Sequence, residues 1–186
     1  MSIEVSKADI ASIERMLNGI KDGAKKAMVT SINLTVKTTS VQTRKDIGKS
    51  LNLTAKRIGE DIETRKASYS NIKGRVFSWG DPIGLINFTG TKQFKKGTKV
   101  KVLRTGNRKL IPQAFVAKSR NAKNVWMRSL KGGKRVHRLP IDRLTGPSVR
   151  SMMAYPSRLE RLTKNASEIF EKNLLKKVED LLRRYG

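Results

Sequence analysis

The sequence predicts an α+β fold: a long N-terminal helix, a short second helix, a small antiparallel β-sheet and a long C-terminal helix. Three observations predict it. Apolar residues recur at helical spacing at both ends, the middle breaks into short runs punctuated by glycine, and the basic residues concentrate in that middle. At 186 residues the chain is long enough for one core, so a single domain with extensions is expected. Its parts are a helical stretch over 1–66, a basic antiparallel sheet over 67–140, a connector over 141–157 and a helix over 158–186.

The first helix rests on Ile10, Ile13, Leu17, Ile20, Ala24, Ala27 and Leu34, with Val41 continuing the register. Ser6 with Asp9 three residues later resembles a capping box and starts the helix near Lys7. From Val29 to Thr43 the β-branched residues oppose a helix while the apolar register favours one. The register carries the helix to about Ile47, and Gly48 supplies the stop. Thr54 then caps a short helix with Ile58 and Ile62 one turn apart, ending before Ala67.

Runs at 75–78, 83–88, 99–103, 111–117, 124–128 and 135–139 read as strands, with Gly90, Gly97, Gly106, Gly132 and Gly133 as turn candidates. Val100 and Val102 alternate with Lys99, Lys101 and Arg104, which gives one strand an apolar face and a basic face. At the end, Ser157 and Glu160 form a second capping box behind Pro156, and apolar residues at helical spacing predict a helix over 158–184. Ile169 beside Phe170, Leu174 beside Leu175 and Leu181 beside Leu182 widen that helix's apolar arc beyond one stripe. Two packing partners are therefore expected, with Ile169, Phe170, Leu174 and Leu181 as assembly residues.

The net charge is +26, and no acidic residue occurs between Asp81 and Asp142. That interval holds sixteen lysines and arginines, from Lys92 to Arg138, so the rest of the chain carries only +10. Such a field opposes compaction unless an anionic partner offsets it. Lys92, Lys95, Lys96, Lys99, Lys101, Arg104, Arg108 and Lys109 suit either the phosphates of a nucleic acid or an acidic protein, and lysines also blunt sheet edges. Zinc-finger, basic-zipper and RNA-recognition patterns are missing from the sequence, which argues against reading of bases.

Nothing in the sequence favours catalysis. The one histidine, His137, has no nearby acid or cysteine to orient it, the acids Glu60, Asp61, Glu63, Glu179 and Asp180 fall on expected helix faces, and no phosphate-binding glycine loop occurs. No catalytic, cofactor-binding or metal-binding residues are assigned, and an enzyme is not expected. The chain lacks cysteine, which excludes disulfides and thiolate metal sites. It has no apolar run of bilayer length and no leader-like start, so a soluble, unprocessed protein without a membrane partner is expected. Trp79 and Trp126 adjoin apolar neighbours and read as core or interface residues rather than base-stacking platforms. Met152, Met153 and Tyr155 read as an adaptable contact surface or a packed helical turn.

One segment carries a family resemblance. Pro112-Gln113-Ala114-Phe115-Val116-Ala117-Lys118 is followed by Val125-Trp126-Met127-Arg128, then Arg138-Leu139-Pro140-Ile141, then Leu144-Thr145-Gly146-Pro147-Ser148-Val149. This order resembles the minor tail protein Z family of tailed bacteriophages. The likeness is specific over about 111–153, and the long first helix, the short helix entry and the capped last helix are similar in order. The resemblance implies a virion structural protein that completes the tail at its head-proximal end, assembled in the host cytoplasm. It further implies a homo-oligomeric ring, six-fold by analogy, in contact with the tail tube or tail terminator and neck proteins, with non-specific DNA contact left open. Arg138, Pro140, Ile141, Gly146, Pro147 and Ser148 then form the connector, a docking surface for a neighbouring subunit or only a rigid link. The runner-up is a monomeric, basic nucleic-acid-binding protein, ribosome-associated or DNA-binding.

Overall fold

A computed structural model describes residues 2–3, 7–17, 20, 22–119, 122–128, 130–131, 134–135 and 140–185. In chain order the elements begin with β1 (Ser2–Ile3), α1 (Lys7–Met16), α2 (Gly23–Ser50), α3 (Ala55–Glu60), β2 (Glu63–Arg65), β3 (Gly74–Phe77) and β4 (Ile83–Gly84). A 3-10 turn over Leu85–Asn87 leads to β5 (Lys92–Phe94), β6 (Gly97–Val100), β7 (Lys109–Pro112), β8 (Phe115–Ser119) and β9 (Ala122–Arg128). The chain continues through β10 (Leu130–Lys131), β11 (Lys134–Arg135), β12 (Ile141–Arg143), β13 (Thr145–Gly146), α4 (Val149–Met153) and α5 (Pro156–Tyr185). The architecture is α+β, with two long helices and small antiparallel sheets of two or three strands.

The chain divides into two compact units: Met1–Thr43 with Ile62–Ser78 and Met153–Gly186, and Arg44–Asp61 with Trp79–Met152. In the first, α5 packs on α2 through Leu162, Ala166, Phe170, Leu174, Val178 and Leu181, all buried on one face. The opposing face of α2 explains how a Thr-rich stretch stays helical. Ser31, Thr35, Thr39 and Thr43 are buried at four-residue spacing beside Ile32 and Val36. Thr35 and Thr43 donate to the carbonyls one turn back at 2.7 and 2.8 Å, so their hydroxyls enter the core with a partner already made. Asn173 of α5 donates to Thr35 Oγ1 at 3.1 Å, and Ser31 Oγ donates to the Asn173 carbonyl at 3.2 Å. Packing of this face outweighs the weak helix propensity.

The expected single first helix is instead two. Ile20 N–H bonds the Leu17 carbonyl at 3.0 Å and Gly23 N–H bonds the Ile20 carbonyl at 2.9 Å, turns tighter than an α-helix. Asp22 takes φ 55°, outside the helical basin, and its carbonyl then accepts from Lys26 N–H to restart the helix. Ser6 lies outside the described residues. Gly48 does not stop α2, which runs on to Ser50. The end comes from tertiary pairing: Leu51 bridges Leu103, and Asn52 N–H bonds the Val102 carbonyl at 2.8 Å.

The first unit also holds the sheet β1-β3-β2, and two of its strands, β1 and β2, lie within the stretch 1–66 where the sequence predicts helices. β3 lies against α2 at Gly74, where a Cβ would come within 2.5 Å of Ile32 Cγ2 and Val36 Cγ2. The adjoining loop is pinned by Asn33, whose side-chain amide accepts from Ala67 N–H at 2.8 Å and donates to its carbonyl at 3.1 Å.

In the second unit Thr54 caps α3 as expected, accepting from Arg57 N–H at 3.3 Å, while Ile62 lies beyond the helix. The sheets are β5-β6-β7, β12-β9-β8, β13-β4 and β10-β11. Several expected strands change here. Residues 83–88 give only the two-residue β4 before the 3-10 turn, and 99–103 ends at Val100. The run 111–117 splits into β7 and β8 because Gln113 takes φ 62°, a left-handed turn. Of 135–139 only Arg135 is described. The connector is not a bare link: β12 pairs with β9, β13 pairs with β4, and Ser148 Oγ accepts from Ser151 N–H at 3.0 Å at the start of α4. At the last helix, Pro156 itself occupies the first position, so Ser157 lies inside the first turn instead of capping it.

Candidate functional site

The second unit contains 23 lysines and arginines against five acids, +18 of the chain's +26. The eight basic residues singled out from the sequence all belong to it, and none of them forms an ion pair among the described residues. Their placement separates them into two groups. Lys92, Lys95, Lys96 and Lys99 belong to the β5–β6 hairpin, with Lys95 and Lys96 at its two-residue turn, and all four are exposed. The others follow β6 and tie into its far end.

Lys101 is half-buried and its carbonyl accepts from Asn52 Nδ2 at 3.0 Å. Arg104 donates from Nε to the Leu51 carbonyl at 3.3 Å, so part of its hydrogen-bonding capacity already serves the fold. The Arg108 guanidinium lies over Gly90, where a Cβ would meet it at 2.6 Å. Lys109 sits opposite Val100, on the other face from Lys99.

The hairpin is held from beneath by a residue that charge reading overlooks. Gln93 donates from Nε2 to the Phe94 and Gly97 carbonyls at 2.8 and 3.1 Å, and its Oε1 accepts from Thr98 Oγ1 at 3.0 Å and Val116 N–H at 2.8 Å. Thr98, fully buried, also donates to the Ala114 carbonyl at 3.1 Å. This network links the hairpin to β8 and leaves the lysine face outward. On that face Lys92 stands directly opposite Lys99, and the Lys99 ammonium lies 4.8 Å from the Phe94 ring centroid. Cross-strand like charges repel, and the ring offsets part of that repulsion.

The described residues of the signature segment contribute to the sheet β12-β9-β8 and to β13, which pairs with β4. Phe115 pairs with Trp126, whose Nε1 donates to the Ala117 carbonyl at 3.2 Å, and Arg128 stacks 5.4 Å from the Phe115 ring centroid. Trp126 is therefore a packing residue, whereas Trp79 is 66% exposed and is no core residue. Ile141 faces Arg128 across the sheet, Pro140 is exposed, Pro147 is half-buried and Ser148 is buried. Gly146 has no positive φ. A Cβ there would lie 2.8 Å from Phe88 Cζ, so the close approach of the buried ring is what requires glycine. Arg138 and His137 lie outside the described residues.

On α5, Phe170, Leu174 and Leu181 are buried within their own unit and Ile169 is half-buried, while Leu175 and Leu182 point outward. Met153 is buried, and Tyr155 is 63% exposed. Among the described residues no group of three or more acids or histidines is placed to hold a metal ion, and no helix is long and apolar enough to cross a membrane. Comparison with protein-family models, curated proteins and solved structures finds no match for the chain.

Proposed function

We propose that the chain is a structural protein of a phage virion, a minor tail or tail-completion protein at the head-proximal end of the tail. The observation that carries the reading is the ordered signature in the sequence from Pro112 to Val149: an Ala-Phe-Val run, a run ending in Arg128, and a Leu-Pro-Ile segment closed by Gly-Pro-Ser. On this reading the protein acts as a non-enzymatic homo-oligomeric ring, six-fold by analogy, against the tail tube or terminator and neck proteins. The charge of the second unit supports a role in meeting an anionic surface, either an acidic tail component or the DNA. Imaging of purified particles that carry a tagged copy tests the reading. A label at the head-to-tail junction upholds it, and a label elsewhere, or its absence from particles, defeats it.

The unpaired lysines favour one alternative, a monomeric nucleic-acid-binding protein. Size-exclusion chromatography with light scattering separates the two. Assembly favours the ring, and a strict monomer that binds nucleic acid tightly favours the alternative.

A further inference from the structure

The outward face of the β5-β6-β7 sheet is not simply basic. Lys92 stands opposite Lys99, Lys99 opposite Leu110, and Gly97 opposite both Phe94 and Pro112. Directly paired residues share a face, as do alternate residues of one strand, so Lys92, Phe94, Lys99, Leu110 and Pro112 all project to one side. All five are exposed, Phe94 at 44% and Leu110 at 39%. The inward side is closed by Thr98 and Val100, both buried.

We propose that this face docks an acidic protein segment that also carries apolar side chains. Phe94 and Leu110 are the apolar anchors, on the two outer strands, with Lys99 between those strands on β6 and Lys92, Lys95 and Lys96 along the β5 edge and its turn. Charge complementarity selects an acidic occupant, because the four lysines have no acidic partner among the described residues and the repulsion between Lys92 and Lys99 is only partly offset by the Phe94 ring. The apolar pair selects a protein over a nucleic acid. A phosphate backbone draws only on charge and leaves Phe94 and Leu110 uncovered, and the Lys99 ammonium already occupies the ring where a base would stack. Exposed aromatic side chains are enriched at protein interfaces. The inference deepens the tail role by naming the partner's chemistry, and it rests on that role only for where the partner is met.

Fluorescence titration of the full chain tests it with three probes: a short peptide alternating Glu with Leu and Phe, a polyglutamate peptide of equal net charge, and a short DNA duplex. The mixed peptide is expected to bind about tenfold more tightly than polyglutamate. Phe94→Ser should remove most of that advantage while leaving DNA affinity within about twofold, and Lys92→Glu with Lys99→Glu should weaken both peptides. Leu110→Ser serves as an independent variant, and thermal melting verifies that each variant is folded. Equal affinity for the two peptides overturns the proposal, as does an unchanged mixed-peptide affinity in both folded serine variants. A loss of DNA affinity in Phe94→Ser as large as the peptide loss also overturns it, since the ring would then be a base platform. None of these outcomes depends on particle labelling, so the face and the tail role fail separately.

Discussion

Gly74 and Gly146 are held as glycine by their neighbours. At Gly146 a methyl group would strike Phe88, a ring only 1% exposed. Gly146→Ala should therefore destabilise the second unit by about 1–3 kcal/mol, the usual cost of overpacking. An unchanged denaturant midpoint would show that the ring yields freely. Gln93 makes a different argument from hydrogen bonding. Truncation to alanine removes the acceptor of the Val116 N–H and leaves the Thr98 hydroxyl only the Ala114 carbonyl, so Gln93→Ala should cost about 1 kcal/mol although the residue is exposed overall. A thermal midpoint equal to the parent's would contradict that. Neither effect could be read from the sequence, because Phe88 and Val116 reach these positions only through the fold.

At the scale of elements, α5 has a buried face and an exposed apolar one. Leu174 is buried against α2, and placing a carboxylate there leaves an unpaired charge in the core. Leu174→Asp should abolish folding of the first unit, seen as loss of the cooperative melt. Leu175 is 62% exposed and Leu182 36%, seven residues apart on the outward side. If subunits meet through that side, Leu175→Asp with Leu182→Asp should dissolve oligomers in light scattering while the melt stays where it was. Oligomers that persist in this variant would exclude the outward side of α5 as the subunit contact. The adjacent apolar pairs were legible in the sequence, but which member of each faces inward depends on where α2 lies.

For the whole molecule the dominant quantity is charge. With +26 in total and +18 in one unit, self-repulsion opposes folding, and salt screens it over a Debye length of about 10 Å at 0.1 M. The melting temperature should therefore rise as sodium chloride increases from about 0.05 to 0.5 M. A flat or falling dependence would mean that the basic residues are too dispersed for their field to matter. The unpaired hairpin lysines make the rise the expected result.

The sequence by itself determined the α+β class, the C-terminal helix, the Thr54 cap and the concentration of basic residues, because periodicity, local capping and charge act over a few residues. It also marked Gly90, Gly97 and Gly106 as turn candidates, and all three take positive φ, though Gly97 is the first residue of β6 and follows the turn. The break at Asp22, the short strands β2, β12 and β13, and the division of 111–117 at Gln113 belong to the tertiary structure. So does the mixed face of Phe94, Leu110 and their lysines, since a strand's partner and register set which residues share a side. Two- and three-residue strands are too short to show a period of their own. They exist because a distant strand supplies the hydrogen bonds, and that partner is chosen only when the core closes.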